Sequence, residues 1–352
     1  MAKKVLIVDD SALIRKQLGE LLDSAGYDIG FAKNGKEAVE FATSVDFDVI
    51  TMDINMPVMD GLSAVKEIMK KNPTPIVMVS SLTQDEADIT FEALDLGAVD
   101  YVPKPGTITL NIEQTKGEIL KKIETACKIK KNRLIIRKQA TKRKAVLMEG
   151  SVAKKELPKD IEKLVLIGAS TGGPGLIEEI LASLPANYPY PVCVVQHMPE
   201  SFTANFAKRL NKNCQIEVVE AKSGELVVPG KAIIGKGGKH MHFAKKASGA
   251  LIIKLVSNTM KRFFVPSVDE MFFSATKVFN PKKIMAVELT GIGDDGADGM
   301  VELKKRGAYT VAESEETAVV YGMPKEAYVR GGVVKQLPFP KIVQEILNFA
   351  KE

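Results

Sequence analysis

Residues 165 to 176 read VLIGASTGGPGL, an apolar run that feeds a glycine-rich turn with Ser170 at its centre. Gly168 to Gly172 fit two patterns. One is the G-x-S-x-G turn that lifts a serine hydroxyl out of a strand end as a nucleophile, and the other is a loose phosphate-cradling loop. Acyl transfer by Ser170 needs a base, an acid to orient that base, and donors for an oxyanion. The chain has only 3 histidines, His197, His240 and His242, so few groups can serve as the base. His197 follows the apolar run in VVQHMP, and ELTGIGDDGADG offers Asp294, Asp295 and Asp298 after another. Imidazole, with a pKa near ~6.5, can take the hydroxyl proton close to neutrality, and a buried carboxylate can fix its tautomer. The helix that should start behind Ser170 turns its first N–H groups toward the site, where negative charge is favoured.

A second set of chemistry-bearing residues lies near the N-terminus. Asp9 and Asp10 end the first apolar run, Asp53 ends another inside MDINMPVMDG, Ser80 follows PIVMV, and Lys104 stands in VPKPG. Three carboxylates in one pocket repel by about 4 kcal/mol per pair at ~4 Å and an effective dielectric of ~20. A hard divalent cation such as Mg²⁺ relieves that repulsion. A carboxylate beside such a cation and a lysine can accept a phosphoryl group, because both neutralise the charge that builds up during transfer.

These residues can meet only if strands deliver them to one edge. KVLIVDD, YDIGFA, DVITMD, PIVMVS and VDYV have strand character, and helical spacing runs over 13–25, 35–43, 61–70, 85–96 and 112–130. Alternating β and α units predict a doubly wound parallel sheet, with functional groups beyond the carboxyl ends of its strands. A second α/β pattern begins at Lys163. Its predicted strands are KLVLIGAS, PVCVVQH, IEVVEA, KIMAVELTG and YTVAES, and its predicted helices span 176–184, 202–211, 268–279, 296–306 and 341–350. The stretch from 231 to 256 reads as short antiparallel strands, a β-hairpin insertion turning near Ser248-Gly249. The expected organisation is α/β throughout: a first domain over 1–125, a basic linker over 126–160, and a second domain over 161–352.

At 352 residues the chain is long enough for two domains with ample cores. The 3 cysteines, Cys127, Cys193 and Cys214, are odd in number and lack metal-ligand spacing, which reads as reduced thiols. The apolar run near the N-terminus is too short for a signal-peptide core, and no stretch approaches a membrane span, so a cytoplasmic protein is expected. The net charge of +5 is concentrated between Lys116 and Lys163. Nucleic-acid binding there is disfavoured because no recognition module accompanies the charge.

VLIVDDSALIR, DINMPVMDG, PIVMVSS and YVPKP together resemble a response-regulator receiver domain. That resemblance implies Asp53 as phosphoacceptor, Mg²⁺ held by Asp9, Asp10 and Asp53, Ser80 and Lys104 as phosphoryl-sensing partners, Tyr101 as the switching aromatic, and a cis Lys104–Pro105 bond. Ser80 is preferred to Ser81 because it directly follows the apolar run. IGASTGGPGL, VVQHMP, KGGKHM, PSVDEMFFSA and LTGIGDDGADGM are similar to the catalytic domain of the CheB family of chemotaxis protein-glutamate methylesterases. This second resemblance implies Ser170 as nucleophile, His197 as base and Asp295 as orienting acid, with backbone amides near Thr171 and Ile292 as the oxyanion hole. It implies no cofactor in the esterase site. It also implies methylated chemoreceptors as substrate, receptor-glutamine deamidation as an accompanying activity, and a chemotaxis histidine kinase as phosphodonor. One departure is GKGGKH before His240, where similar proteins often carry Ala-Pro ahead of the two glycines. The competing reading is a response regulator whose second domain is a non-catalytic nucleotide-binding module.

Overall fold

A computed structural model of the chain describes residues 2–81, 83–105, 112–129, 131, 134 and 160–351. The chain divides into two compact units, Met1–Gly150 and Ser151–Glu352.

In the first unit β1 (Lys4–Val8), α1 (Ala12–Ser24), β2 (Asp28–Ala32), α2 (Gly35–Ser44), β3 (Val49–Asp53), α3 (Gly61–Lys71), β4 (Ile76–Ser80), α4 (Gln84–Leu96), β5 (Asp100–Pro103) and α5 (Ile112–Ala126) alternate. The five strands pair in parallel in the order β2-β1-β3-β4-β5. β1, β3 and β4 are apolar on both faces because helices cover both sides, and most of their residues are fully buried. Ser11, Asn34, Asp60 and Thr83 cap α1 to α4, each accepting a backbone N–H of the first turn. Such a cap contributes ~1 kcal/mol.

The second unit runs β6 (Leu164–Ala169), α6 (Gly173–Ser183), β7 (Val192–Gln196), α7 (Glu200–Asn213), β8 (Glu217–Glu220), β9 (Lys231–Ile234), β10 (His240–Lys245), β11 (Leu251–Val256), α8 (Val268–Val278), β12 (Ile284–Glu288), α9 (Ala297–Lys305), β13 (Tyr309–Glu313), α10 (Met323–Val329), β14 (Lys335–Leu337) and α11 (Phe339–Phe349). Seven strands form a parallel sheet in the order β14-β13-β12-β6-β7-β9-β8. β10 and β11 form a separate antiparallel hairpin whose turn uses Gly249 at φ +85°.

Several expectations need correction. Lys231–Ile234 is not an antiparallel strand of the insertion but a parallel member of the main sheet, between β7 and β8. Its apolar run is too short to reveal its partner. The helix expected from 176 starts at Gly173, since Pro174 is tolerated in a first turn where its missing N–H costs nothing. α10 and β14 were not foreseen, being seven and three residues long. Lys104–Pro105 is not cis, and Val265–Pro266 is the cis bond among the described residues. The X–Pro preference is only about 0.5–1 kcal/mol, too small for local sequence to decide. Most of the expected linker lies outside the described residues, although Ile129 and Leu134 are buried. The three cysteines are free thiols. No helix among the described residues is long and apolar enough to cross a membrane.

Gly61 shows how tightly the first unit is closed around Asp53. A Cβ at Gly61 would stand 1.9 Å from the Asp53 carbonyl oxygen, whereas one at Gly117, within α5, meets nothing within 4 Å. Gly61→Ala is expected to destabilise the first unit by ~1–3 kcal/mol or more. Gly117→Ala is expected to stabilise it by ~0.5–1 kcal/mol through helix propensity. Calorimetric unfolding of the two variants checks the opposite signs.

Candidate active site

β6 lies between β7 and β12, so the strand order reverses around it, and the crevice at such a reversal is where open α/β sheets place their sites. Ala169 pairs with Gln196, and the His197 N–H donates to the Ala169 carbonyl at 3.0 Å, which brings residues 170 and 197 to adjacent strand ends. Ser170 is buried and held through its backbone. Its N–H donates to the Thr290 carbonyl at 3.0 Å, and its carbonyl accepts from Gly173 N–H at 2.8 Å and from Gln196 Nε2 at 2.9 Å. The Thr290 hydroxyl donates to the Thr171 carbonyl at 2.9 Å, while the Thr290 N–H donates to buried Glu313 at 2.9 Å. The Ser170 hydroxyl does not cap α6. The cap position is Gly172, at φ +80°, with no side-chain cap bond.

Asp295 supplies the strongest electrostatic feature. Its Oδ2 accepts from His197 Nε2 at 2.7 Å and from the Val268 N–H at 2.7 Å. Its Oδ1 accepts from the Ser267 hydroxyl at 2.7 Å and from the Asp269 N–H at 3.1 Å. Two of these donors are N–H groups of the first turn of α8, so Asp295 reads that helix N-terminus as well as the imidazole. Burial opposes its charge, but hydrogen bonds from His197, Ser267 and Val268 outweigh burial and hold its carboxyl below the usual range. Its two acidic neighbours go the other way. Burial, then Asp295, pushes Asp269 up to about 7, and burial with both aspartates pushes Glu288 well above the carboxylate range. The negative charge of the three therefore concentrates on Asp295.

An ionised carboxylate only accepts, so His197 Nε2 carries the proton in this bond, and in the neutral tautomer that leaves Nδ1 as the lone-pair nitrogen. That Nδ1 is buried and without a hydrogen-bond partner, and the His197 ring stacks on Phe264 with centroids 3.9 Å apart and planes 9° from parallel. The acid–base half of the expected triad is thus closed, while the serine–imidazole bond is not made. Such bonds are commonly long before substrate arrives. On the far side of Ser170 a Cβ on Gly291 would stand 2.8 Å from the Ser170 Cβ, which places the 291–293 turn against the hydroxyl-bearing carbon. The Ile292 N–H has no partner among the described residues. Asp294 and Asp298, the alternatives to Asp295, face outward and pair with Arg330 at 2.6 and 2.8 Å. His240 accepts the Ser267 N–H at 3.1 Å, and His242 contacts Glu270 at 3.1 Å, so neither takes the place of His197. Sequence reasoning gave no role to Ser267, Asp269, Glu288, Thr290, Gln196 or Phe264. Ser267 was readable as the start of a Ser-x-x-Glu cap with Glu270. The others follow only from packing.

The first unit gathers its acidic residues as expected. Carboxylate oxygens of Asp9, Asp10 and Asp53 lie within 4.8 Å of one another. Lys104 Nζ sits 2.8 Å from Asp53 Oδ1 and 3.5 Å from Asp9 Oδ2. Asp53 Oδ2 is buried without a hydrogen bond, and buried Asp9 Oδ2 has only the 3.5 Å ion pair with Lys104, which fits a donor set made for a hard cation. Ser80 is buried at the end of β4, and its hydroxyl donates to Glu86 Oε2 at 2.8 Å. Tyr101 is buried on β5.

Burial, reinforced by Asp9 and opposed by Lys104, lifts Asp53 to about 6. An unfolded aspartate titrates near ~3.9, so the folded state holds this proton more tightly. The resulting stability is fully present below ~4 and lost as pH rises through about 6. In cation-free protein, Asp53→Asn should therefore raise the unfolding midpoint of the first unit more at pH ~7.5 than at pH ~5. Thermal melts at the two pH values check this, and a larger gain at the lower pH reverses the assignment.

The family described as CheB methylesterase matches residues 165–346, and the response regulator receiver domain matches residues 5–113. Among curated relatives, the protein-glutamate methylesterase/protein-glutamine glutaminase 2 of Carboxydothermus hydrogenoformans is 48% identical over 99% of this chain and 99% of its own. The protein-glutamate methylesterase/protein-glutamine glutaminase of Archaeoglobus fulgidus is 44% identical over 98% of this chain and 97% of its own. The crystal structure of the Thermotoga maritima CheB methylesterase catalytic domain superposes with a TM-score of 0.51 at 37% identity, covering 54% of this chain and 99% of that one. With a receiver match ahead of the catalytic match, and relatives similar from end to end, the chain belongs to the CheB methylesterase family.

Proposed function

We propose that the chain is a phosphorylation-regulated protein-glutamate methylesterase that removes methyl groups from glutamate side chains of chemoreceptors. The observation that carries this reading is the 2.7 Å bond from His197 Nε2 to Asp295, which leaves a buried, unpartnered Nδ1 one strand away from Ser170. Ser170 Oγ attacks the γ-ester carbonyl carbon, and its proton passes to His197 Nδ1. The developing oxyanion is taken by backbone N–H groups at Thr171 and Ile292, a contribution of about 3–4 kcal/mol per donor. Collapse breaks the C–OCH₃ bond, and His197 returns the proton so that methanol leaves. Water then attacks the acyl-enzyme, its proton goes to the same nitrogen, and a free glutamate and Ser170 are regenerated. Asp295 stabilises the transient imidazolium throughout.

A γ-amide in place of the ester gives the same acyl-enzyme with ammonia as leaving group, so glutaminase activity follows from the same machinery. The relatives' designation as protein-glutamine glutaminases favours this second activity. A non-catalytic nucleotide-binding role for the second unit finds no support in the family match.

In the first unit Asp53 is the phosphoacceptor, and a chemotaxis histidine kinase is its donor. Asp9, Asp10 and Asp53 hold Mg²⁺, which neutralises charge on the transferring phosphoryl group when bound. Lys104 pairs with the new phosphoryl oxygens. The Ser80 hydroxyl leaves Glu86 to do the same, and Tyr101 repacks in response. Phosphorylation of Asp53 in the first unit regulates hydrolysis at Ser170 in the second, with residues 126–160 acting as linker.

Ser170→Ala should lower methanol release from methylated receptors by at least about a thousandfold while leaving acetyl-phosphate labelling of Asp53 intact. Asp295→Asn should cost a similar factor because the imidazole loses its fixed tautomer. Retained hydrolysis in Ser170→Ala would remove the nucleophile assignment. Asp53→Asn should show a low basal rate that acetyl phosphate does not raise. A chain lacking residues 1–155 should exceed the unphosphorylated full chain. Methanol release measured with and without acetyl phosphate checks both.

A further inference from the structure

Between β11 and α8 the chain makes a loop, residues 257–266, whose inner side is pinned at three points. Asn258 Oδ1 accepts the Arg262 N–H at 2.8 Å and its Nδ2 donates to the Arg262 carbonyl at 2.9 Å, closing the tip on itself. The Arg262 guanidinium donates through Nε to Glu270 Oε1 on α8 at 3.1 Å. Phe264 lies flat on the His197 ring. This anchoring fixes the outer side of the loop next to the base, where it is unusually apolar for an exposed turn. Met260 is 71% exposed and Phe263 49%. Lys261 adopts φ +51°, a left-handed conformation that costs a residue with a Cβ ~1–2 kcal/mol. Strain of this kind persists where surrounding structure over-determines it, commonly at ligand clamps.

The adjoining rim is cationic. Lys239 is exposed and held beside the loop by a 3.1 Å hydrogen bond to the Ser257 hydroxyl. Neither Lys239 nor Lys261 has an acidic partner among the described residues. Exposed apolar side chains flanked by unneutralised lysines, on a rigid loop touching the base, form a surface fitted to an amphipathic acidic segment.

We propose that this loop is the arm that docks the substrate segment, with Met260 and Phe263 taking its apolar side and Lys239 and Lys261 its carboxylates. The proposal rests on the methylesterase reading, which also identifies the occupant. Each turnover leaves a free γ-carboxylate, so a segment with several modifiable glutamates carries negative charge beside the remaining ester. Ser170 and His197 need only the ester group. The loop selects the polypeptide that bears it.

The test uses the full chain with acetyl phosphate and two substrates: methyl-esterified chemoreceptors in membrane vesicles, and the γ-methyl ester of N-acetylglutamate. Met260→Asp with Phe263→Asp, and separately Lys239→Glu with Lys261→Glu, should each lower kcat/KM on receptors by about tenfold or more, chiefly through KM. The ratio for the small ester should change less than about twofold, and the charge variant should also lose the salt dependence of receptor hydrolysis. Phe263→Leu and Lys261→Arg should restore most of the receptor activity. Equal losses on both substrates would mean general damage to the site and would overturn docking, as would unaltered receptor kinetics. If the unmodified chain hydrolyses neither ester, the methylesterase reading itself fails, a result distinct from a defect confined to receptors.

Discussion

A carboxylate with almost no access to water is the constraint around which the second unit is built. Removing an ion from water costs several kcal/mol even after relaxation, so Asp295 remains charged only because four donors converge on it. Those donors come from a histidine after β7, a serine before α8 and two backbone N–H groups that open that helix. None can move without leaving part of the charge unpaired. The arrangement thereby ties the loop after β12 to the end of β7 and to the start of α8, and it fixes which imidazole nitrogen carries hydrogen. Asp269 and Glu288 complete the picture from the other side. Buried close to a charge that is already well satisfied, Glu288 holds its proton and Asp269 is shifted toward its neutral form.

The two sheets solve one geometric problem twice. β1 stands between β2 and β3, and β6 stands between β7 and β12, so in each sheet the connections run outward on both sides from one central strand. The crevice this leaves beyond the strand ends collects whatever the loops carry. In the first unit these are Asp9, Asp10, Asp53 and Lys104, the proposed cation and phosphoryl site. In the second they are Ser170, His197 and Asp295, the proposed acyl-transfer site. Fold alone did not choose between these chemistries, and the side chains at the strand ends did.

Glycines mark where backbone must approach these sites closely. Gly296 carries φ +100°, and a Cβ there would meet Glu288 at 2.3 Å, so the residue after Asp295 has no alternative. A Cβ at Gly173 would press on Ala169 Cβ at 2.7 Å, one at Gly291 on Ser170 Cβ at 2.8 Å, and one at Gly61 on the Asp53 carbonyl oxygen at 1.9 Å. The glycine-rich stretch around Ser170 was legible as a turn, although Gly173 and Pro174 proved to be the first turn of a helix.

Short continuous apolar runs and helical spacing in the sequence determined the two α/β patterns and the placement of Asp9, Asp53, Ser80, Ser170 and His197 at strand ends, because a parallel strand buried on both faces must be a continuous apolar run. The scarcity of histidine made His197 stand out. Strand neighbours lay beyond that information. Lys231–Ile234 joined the main sheet and Lys335–Leu337 added an edge, since pairing partners are chosen by long-range packing that segments this short do not encode. Residue types alone left Asp294, Asp295 and Asp298 open, and the family resemblance singled out Asp295; the physical reason came only in three dimensions, where the donors at the start of α8 reach that carboxylate. The same holds for the Phe264 stack on His197 and for the Ser80 hydroxyl resting on Glu86: these contacts join segments far apart or on different elements, and only the closed fold brings them within bonding distance.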